Sequence, residues 1–169
     1  MNKDRIISRL GYLSPLGWLE LQATEHGLAA ILFSDIPVEG KDESPFLLAC
    51  KQDLDAFFAG NTTPFSVPLD MEGTDFQKRV WAELIAIPFG ETVSYLHIAQ
   101  KLGDPNSTRA VGNANGKNPI PILVPCHRVI GAGGSLVGYS GGMEKKKWLL
   151  EFERNLTKKD LFNSLSNHA

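Results

Sequence analysis

Residues 94–116 read Ser94-Tyr95-Leu96-His97-Ile98-Ala99-Gln100-Lys101-Leu102-Gly103, then Asp104-Pro105-Asn106, then Ser107-Thr108-Arg109-Ala110-Val111-Gly112-Asn113-Ala114-Asn115-Gly116. Ser94 is placed to cap a short helix whose apolar positions are Tyr95, Ile98, Ala99 and Leu102, with Gly103 just past its end. Asp104-Pro105-Asn106 supplies a tight polar turn, and Ser107 can cap a second short helix to about Asn115. Two short helices joined in this way read as a helix-turn-helix. Most such pairs bind no nucleic acid, so the second helix matters more. Its one long side chain is Arg109 and the rest are small. Gly112 and Gly116 each cost a helix roughly 1 kcal/mol relative to alanine. A helix so stripped of bulk can lie close to DNA or to a neighbouring helix, and the segment alone leaves both open.

Upstream, Thr74-Asp75-Phe76-Gln77 forms a capping box. It opens a helix with Phe76, Val80, Trp81, Leu84 and Ile85 on one face, stopped at Ile87-Pro88-Phe89-Gly90. Downstream, the prolines of Asn118-Pro119-Ile120-Pro121-Ile122-Leu123-Val124-Pro125 predict an extended apolar run that delivers Cys126-His127-Arg128. Gly131-Ala132-Gly133-Gly134-Ser135 and Gly138-Tyr139-Ser140-Gly141-Gly142 follow. No Gly-Lys-Ser/Thr is present, so these glycines suit close approach to a flat ligand rather than a phosphate-binding loop. A last helix from Met143 to about Asn155 turns Trp148, Leu149 and Phe152 inward. Lys145-Lys146-Lys147 reads as a solvated face, with phosphate contact second. Residues 157–169 read as a frayed tail.

The first part of the chain is different in kind. Trp18–Ala23 alternates apolar with polar, Gly27–Phe33 is a second β-compatible run, and Glu25-His26-Gly27 between them predicts a hairpin. From Ser44 to Phe58, apolar residues recur at helical spacing, closed by Gly60. Pro64–Pro68 reads as an edge strand or an extended linker. Charge divides in the same place. Residues 1–73 carry 5 basic and 11 acidic groups, and residues 74–169 carry 12 and 8. A polyanion would contact the second part, although chance variation in solvated charge explains the asymmetry equally well.

With 169 residues, 43% hydrophobic, and 17 Lys+Arg against 19 Asp+Glu, the chain is globular rather than disordered. Cys50 and Cys126 lie in dissimilar settings, which argues against a disulfide, and no CxxC or HxxxH spacing supports zinc. No apolar run reaches the ~18 residues of a membrane span. The start, MNKDRIISRL, lacks a secretion signal. An intracellular, reducing compartment is expected.

Cys50 reads as a small buried hydrophobe within a helix. Cys126, between Pro125 and His127, reads either as a buried structural thiol or as a nucleophile. A cysteine thiol ordinarily titrates at ~8.5, and a nearby cation or proton acceptor makes the thiolate accessible. His127 is a candidate acceptor. In an extended strand the two side chains point apart, so a bridging water and a carboxylate behind the imidazole are needed.

Five ordered blocks carry a resemblance: Pro88-Phe89-Gly90-Glu91-Thr92-Val93-Ser94-Tyr95, Arg109-Ala110-Val111-Gly112, Asn118-Pro119, Pro125-Cys126-His127-Arg128-Val129 and Tyr139-Ser140-Gly141-Gly142. Together they resemble the O6-alkylguanine-DNA alkyltransferase family, most strongly over residues 74–153. The fold this implies is α/β (α+β). An N-terminal RNase H-like unit (1–73) precedes a mostly helical unit with a helix-turn-helix (74–156) and a tail (157–169).

The resemblance implies stoichiometric, irreversible DNA repair. The small-residue helix would enter the minor groove of duplex DNA through Ser107, Thr108, Arg109, Ala110, Gly112, Asn113 and Asn115, with Arg128 as a further contact. Arg109 would fill the gap left when the damaged guanine is extruded. Cys126 would attack the alkyl carbon, His127 would take the thiol proton through a water, and Glu153 would polarise His127. Tyr95 would donate to the base, the Ser140 backbone would contact the guanine oxygen, and the carbonyls of Cys126 and Val129 would read the exocyclic amine. Asn118 would brace the helix-turn-helix, with Pro121 and Tyr139 lining the pocket. No cofactor and no metal are expected, since the zinc ligands of some relatives have no counterpart here. A cytoplasmic monomer is expected, nuclear only in a eukaryote. Three alternatives remain: a protein that flags alkylated guanine without removing the group, a helix-turn-helix regulator, and a Cys-His hydrolase. The last is disfavoured by the adjacency of its Cys and His.

Overall fold

The computed structural model describes residues 5–40, 42 and 44–166, with 160–166 described by their backbone alone. They form two compact units. The first holds the residues up to Lys78 together with Asn118–Val124, and the second holds Arg79–Lys117 together with the residues from Pro125 onward. The sequence suggests a boundary at 73/74. The division falls instead about one turn further on, inside a helix, and a short later segment returns to the first unit.

In the first unit, β1 (Ser8–Ser14), β2 (Gly17–Ala23) and β3 (Leu28–Ser34) form an antiparallel sheet in chain order. The expected hairpin is β2–β3, with Leu21 opposite Ile31 and Leu19 opposite Phe33. β1 is not evident from the sequence. It is set by the turn that follows it: the Ser14 hydroxyl accepts from the Leu16 N–H (3.1 Å) and donates to the Gly17 carbonyl (2.8 Å), and Gly17 takes φ 99°. Helix α1 (Pro45–Phe58) buries Leu47, Cys50, Leu54 and Phe57. Cys50 is fully buried, as expected of a small hydrophobe, and burial pushes its thiol pKa up. Pro64–Pro68 forms no strand, and a single parallel bridge joins Leu69 to Leu28.

Asn118–Val124 corrects the expected extended run. The segment is a turn closed by the Val124 N–H on the Ile120 carbonyl (2.9 Å). Asn118, buried, spans it by accepting from the Ile120 N–H (3.0 Å) and donating to the Val124 carbonyl (2.7 Å). The prolines fix φ but do not prevent reversal, because Ile122 absorbs it at φ 77°, a value β-branched residues rarely adopt.

Helix α2 (Asp75–Ile85) starts at the capping box. The Thr74 N–H donates to Gln77 Oε1 (2.9 Å) and the Gln77 N–H to Thr74 Oγ1 (3.2 Å). The second unit continues with β4 (Val93–Ser94), α3 (Tyr95–Lys101), α4 (Thr108–Gly116), β5 (Val129–Ile130) and α5 (Met143–Ser166). β4 and β5 pair in parallel, Val93 with Val129. Ser94 caps α3 by accepting from the His97 N–H (3.0 Å). Ser107 does not cap α4 with its side chain. Its hydroxyl donates back to the Asp104 carbonyl (2.6 Å), and the Asp104 carboxylate caps the intervening 3-10 turn. α3 and α4 form the helix-turn-helix, and Trp81 Nε1 anchors it by donating to the Ala114 carbonyl (2.9 Å). α5 runs past the expected end at Asn155 to Ser166, so most of the supposed tail is helical. No Gly or Pro interrupts it, and the Thr157 hydroxyl satisfies the Glu153 carbonyl one turn back (3.0 Å). Residues 167–169 lie outside the described residues.

Candidate active site

Cys126 begins a 3-10 turn, Cys126–Arg128, not the end of a strand. All three side chains are buried, His127 completely. The carboxylate of Glu153, on α5 and also buried, lies with Oε1 2.7 Å from His127 Nε2. Arg128 grips the same carboxylate, its Nε 2.9 Å from Oε2 and its Nη2 3.0 Å from Oε1. Burial alone would raise the Glu153 pKa, but these hydrogen bonds and charges overcome it and hold the group at about 2. Burial lowers the His127 pKa despite Glu153. The pair is therefore an ionised carboxylate and a neutral imidazole. An ionised carboxylate can only accept, so Nε2 carries the proton and Nδ1 holds the lone pair. Nδ1 is buried and has no hydrogen-bond partner among the described residues.

Ile87-Pro88-Phe89-Gly90, readable from sequence only as a helix stop, forms one wall of this network. The Ile87 carbonyl accepts from Arg128 Nη1 (2.7 Å), the Phe89 ring lies 5.6 Å from the guanidinium carbon, and the Gly90 N–H donates to Glu153 Oε2 (3.0 Å). Gly90 sits at φ 78°, and a Cβ there would run into the Thr157 hydroxyl. Only glycine suits the position.

Arg128, expected to contact DNA, is thus corrected: its guanidinium is buried and spent inside the protein. Asn115 is corrected too, being buried on the inner side of α4 beside Val111 and Ala114. Arg109, Ala110 and Asn113 are exposed on the opposite side, with Ser107, Thr108 and Gly112 partly so. A Cβ at Gly112 would meet only the Tyr95 ring at ordinary contact distance, and one at Gly116 would meet nothing within 4 Å. Packing within the protein therefore demands neither glycine.

Tyr95, the first residue of α3, is half-buried and donates its hydroxyl to the Val137 carbonyl (3.3 Å). Burial, then proximity to Cys126, raises its pKa. The Tyr139 ring stands edge-on to His127 at 6.5 Å. Ser140 is exposed in the following turn. Val129 is buried on β5, and its carbonyl accepts from Lys146 Nζ (2.7 Å). Asn118 and Pro121 belong to the first unit and are buried there.

Lys146 is the clearest omission from the sequence reading. It is completely buried, whereas Lys147 beside it is exposed. The signal was its spacing: Lys146, Leu149 and Glu153 share one face of α5, and all three are buried. Among the described residues no group of three or more His, Cys, Asp or Glu could hold a metal ion.

Comparison with known proteins identifies two domains. Residues 75–155 match the 6-O-methylguanine DNA methyltransferase, DNA binding domain, and residues 11–71 match its ribonuclease-like domain. A methylated-DNA–protein-cysteine methyltransferase of Mycobacterium tuberculosis is 58% identical over 108 residues, covering 64% of this chain and 66% of that one. One from Methanosarcina acetivorans is 44% identical over 146 residues, covering 83% and 94%. The crystal structure of Mycobacterium tuberculosis OGT in complex with DNA superposes with TM-score 0.79 at 45% identity, covering 89% of this chain and 94% of that one.

Proposed function

The chain belongs to the O6-alkylguanine-DNA alkyltransferase family, and from that premise we propose that it repairs DNA by moving the alkyl group of O6-alkylguanine onto its own Cys126. The observation that carries this reading is the buried Cys126-His127-Glu153 arrangement, in which Glu153 occupies Nε2 and leaves Nδ1 as the acceptor. The thiol proton passes through a water to His127 Nδ1. The sulfur attacks the alkyl carbon in line, the S–C bond forms as the C–O6 bond breaks, and the electron pair departs with guanine. The Tyr95 hydroxyl donates to the base and offsets the charge leaving with it. A thioether is a poor leaving group, so each molecule acts once.

Residues 74–156 carry this chemistry. The exposed side of α4, with Ser107, Thr108, Arg109, Ala110, Gly112 and Asn113, meets the minor groove of the duplex. Its unforced glycines suit that approach, and Arg109 replaces the extruded base in the stack. The Ser140 backbone meets the guanine oxygen, the Cys126 and Val129 carbonyls meet its amine, and Tyr139 lines the pocket. Asn118 braces the turn that precedes Pro125. Among the described residues no helix is long and apolar enough to cross a membrane. We place the protein in the cytoplasm as a monomer.

The test is intact-protein mass spectrometry after incubation with a duplex holding one O6-methylguanine. One added methyl per protein, localised to Cys126 and absent in Cys126→Ser, is expected. Tight binding with no mass change overturns the transfer and leaves a protein that flags the lesion.

A further inference from the structure

Asn115 is 3% exposed, and its side-chain oxygen Oδ1 has no hydrogen-bond partner among the described residues. An unpaired buried amide oxygen is costly, and proteins keep few of them. His127 Nδ1 shares that state, and there the lone pair serves the thiol proton. Asn115 lies in the same unit. It follows Val111 by four residues and Gly112 by three. It therefore sits between the buried stripe of α4 and the flank that faces Tyr95, whose ring lies 3.8 Å from where a Gly112 Cβ would stand. Trp81 Nε1, bonded to the neighbouring Ala114 carbonyl (2.9 Å), fixes this end of the helix. The oxygen is thus held beside the side chain that donates to the base during transfer. The lesion offers it one kind of partner. Alkylation at O6 removes the N1 proton of guanine, so N1, N3 and N7 can only accept, and the exocyclic amine is the sole N–H donor left on the base.

Resting on the transfer reading above, we propose that Asn115 Oδ1 accepts a hydrogen bond from the exocyclic amine of the extruded base, and so selects alkylated guanine over alkylated bases that lack this amine. The two backbone carbonyls assigned to the amine each hold a donor of the protein itself. Val129 accepts from Lys146 Nζ (2.7 Å), and Cys126 accepts from the Val129 N–H at the end of the 3-10 turn. Each keeps one lone pair for the amine. Asn115 Oδ1 holds no such donor, so its bond to the amine replaces no contact made inside the protein. A site built to bond a donor rejects the analogue without it, because its buried acceptor is then left unpaired. Asn115 acts on recognition of the base, apart from the proton path through His127 and Glu153.

The experiment is single-turnover transfer from two duplexes, one holding O6-methylguanine and the other O6-methylhypoxanthine, which differs only in lacking the amine. Wild type is compared with Asn115→Leu, which puts an apolar side chain of similar size in place of the amide. Asn115→Leu should lower the second-order transfer constant for O6-methylguanine by about fivefold or more, and that for O6-methylhypoxanthine by less than about twofold. Any difference in how readily the two lesions leave the duplex is common to both proteins and cancels in this comparison. Asn115→Ala takes the place of Asn115→Leu if that variant does not melt cooperatively. Equal losses on the two lesions assign Asn115 to structure and overturn the proposal, as does an unchanged constant for O6-methylguanine. A wild-type protein that transfers no methyl group from O6-methylguanine overturns the transfer reading itself, and is told apart from either result before any variant is compared.

Discussion

Glu153 Oε1 lies 2.7 Å from His127 Nε2, with neither side chain in contact with solvent. The other carboxylate oxygen is taken by Arg128 Nε and the Gly90 N–H. One ionised group therefore fixes an imidazole tautomer, neutralises a buried guanidinium and satisfies a backbone donor. Losing it disturbs all three.

Glu153→Gln keeps the size of the side chain and removes its charge. The Arg128 guanidinium is then buried with no counter-charge among the partners described, and breaking such a pair costs about 3–5 kcal/mol. The His127 tautomer is no longer enforced, so the transfer rate should fall by about a hundredfold or more. Urea unfolding at constant m-value and single-turnover kinetics on the folded fraction separate the two effects. A normal rate in a destabilised protein would confine Glu153 to structure.

The pH dependence follows from the same pair, and its sign is the same for both members. His127 has a folded pKa below its ordinary value of about 6.5. Its contribution is present above the unfolded value and is lost as pH falls from there toward the folded one. Glu153 is held at about 2 against 4.5, so its contribution is lost as pH falls from 4.5 toward about 2. Melting temperature should decline with acid from about pH 6.5 downward, in two overlapping stages. Transfer should stay level through the usual histidine range and fall only below it, because a protonated Nδ1 accepts nothing. A midpoint at or above the ordinary histidine value would show that His127 is charged when the reaction starts.

The resemblance implies DNA contact for both Arg109 and Arg128, and only three-dimensional placement separates them. Arg109→Ala, on the exposed side of α4, should leave stability within about 0.5 kcal/mol while weakening DNA binding and flattening its salt dependence by about one ion. Arg128→Ala should do the reverse, destabilising by about 3 kcal/mol or more because Glu153 is left buried without its counter-charge. Equilibrium unfolding beside fluorescence binding at several salt concentrations decides it. Equal salt slopes in both variants would return Arg128 to the DNA surface.

What the sequence made legible was local or periodic. The capping box at Thr74 and Gln77, the Ser94 cap, the β2–β3 hairpin and α1 rest on neighbours a few residues apart, and each is present. The Asn118–Val124 turn is not legible because proline restricts φ without fixing chain direction, and Ile122 supplies the reversal at an angle no propensity would assign it. In the sequence Lys146 stands in a run of three lysines, and only its helical spacing from Leu149 and Glu153 separates it from Lys147. Gly90 was legible as a helix stop. Its bond to Glu153 spans 63 residues, beyond any local signal.

That last contact supplies a further prediction. Gly90 takes φ 78°, and a methyl group there meets the Thr157 hydroxyl. Gly90→Ala combines backbone strain with this clash and should destabilise by about 1–3 kcal/mol. It should also pull the Gly90 N–H away from Glu153, loosening the carboxylate that orients His127. Thr157→Ala alone removes only the hydroxyl bond to the Glu153 carbonyl and should cost about 1 kcal/mol or less. If the clash is the larger part, the double variant will be more stable than the sum of the two single losses, a coupling readable from denaturant midpoints. Additive losses would instead assign the whole cost of Gly90→Ala to its positive φ.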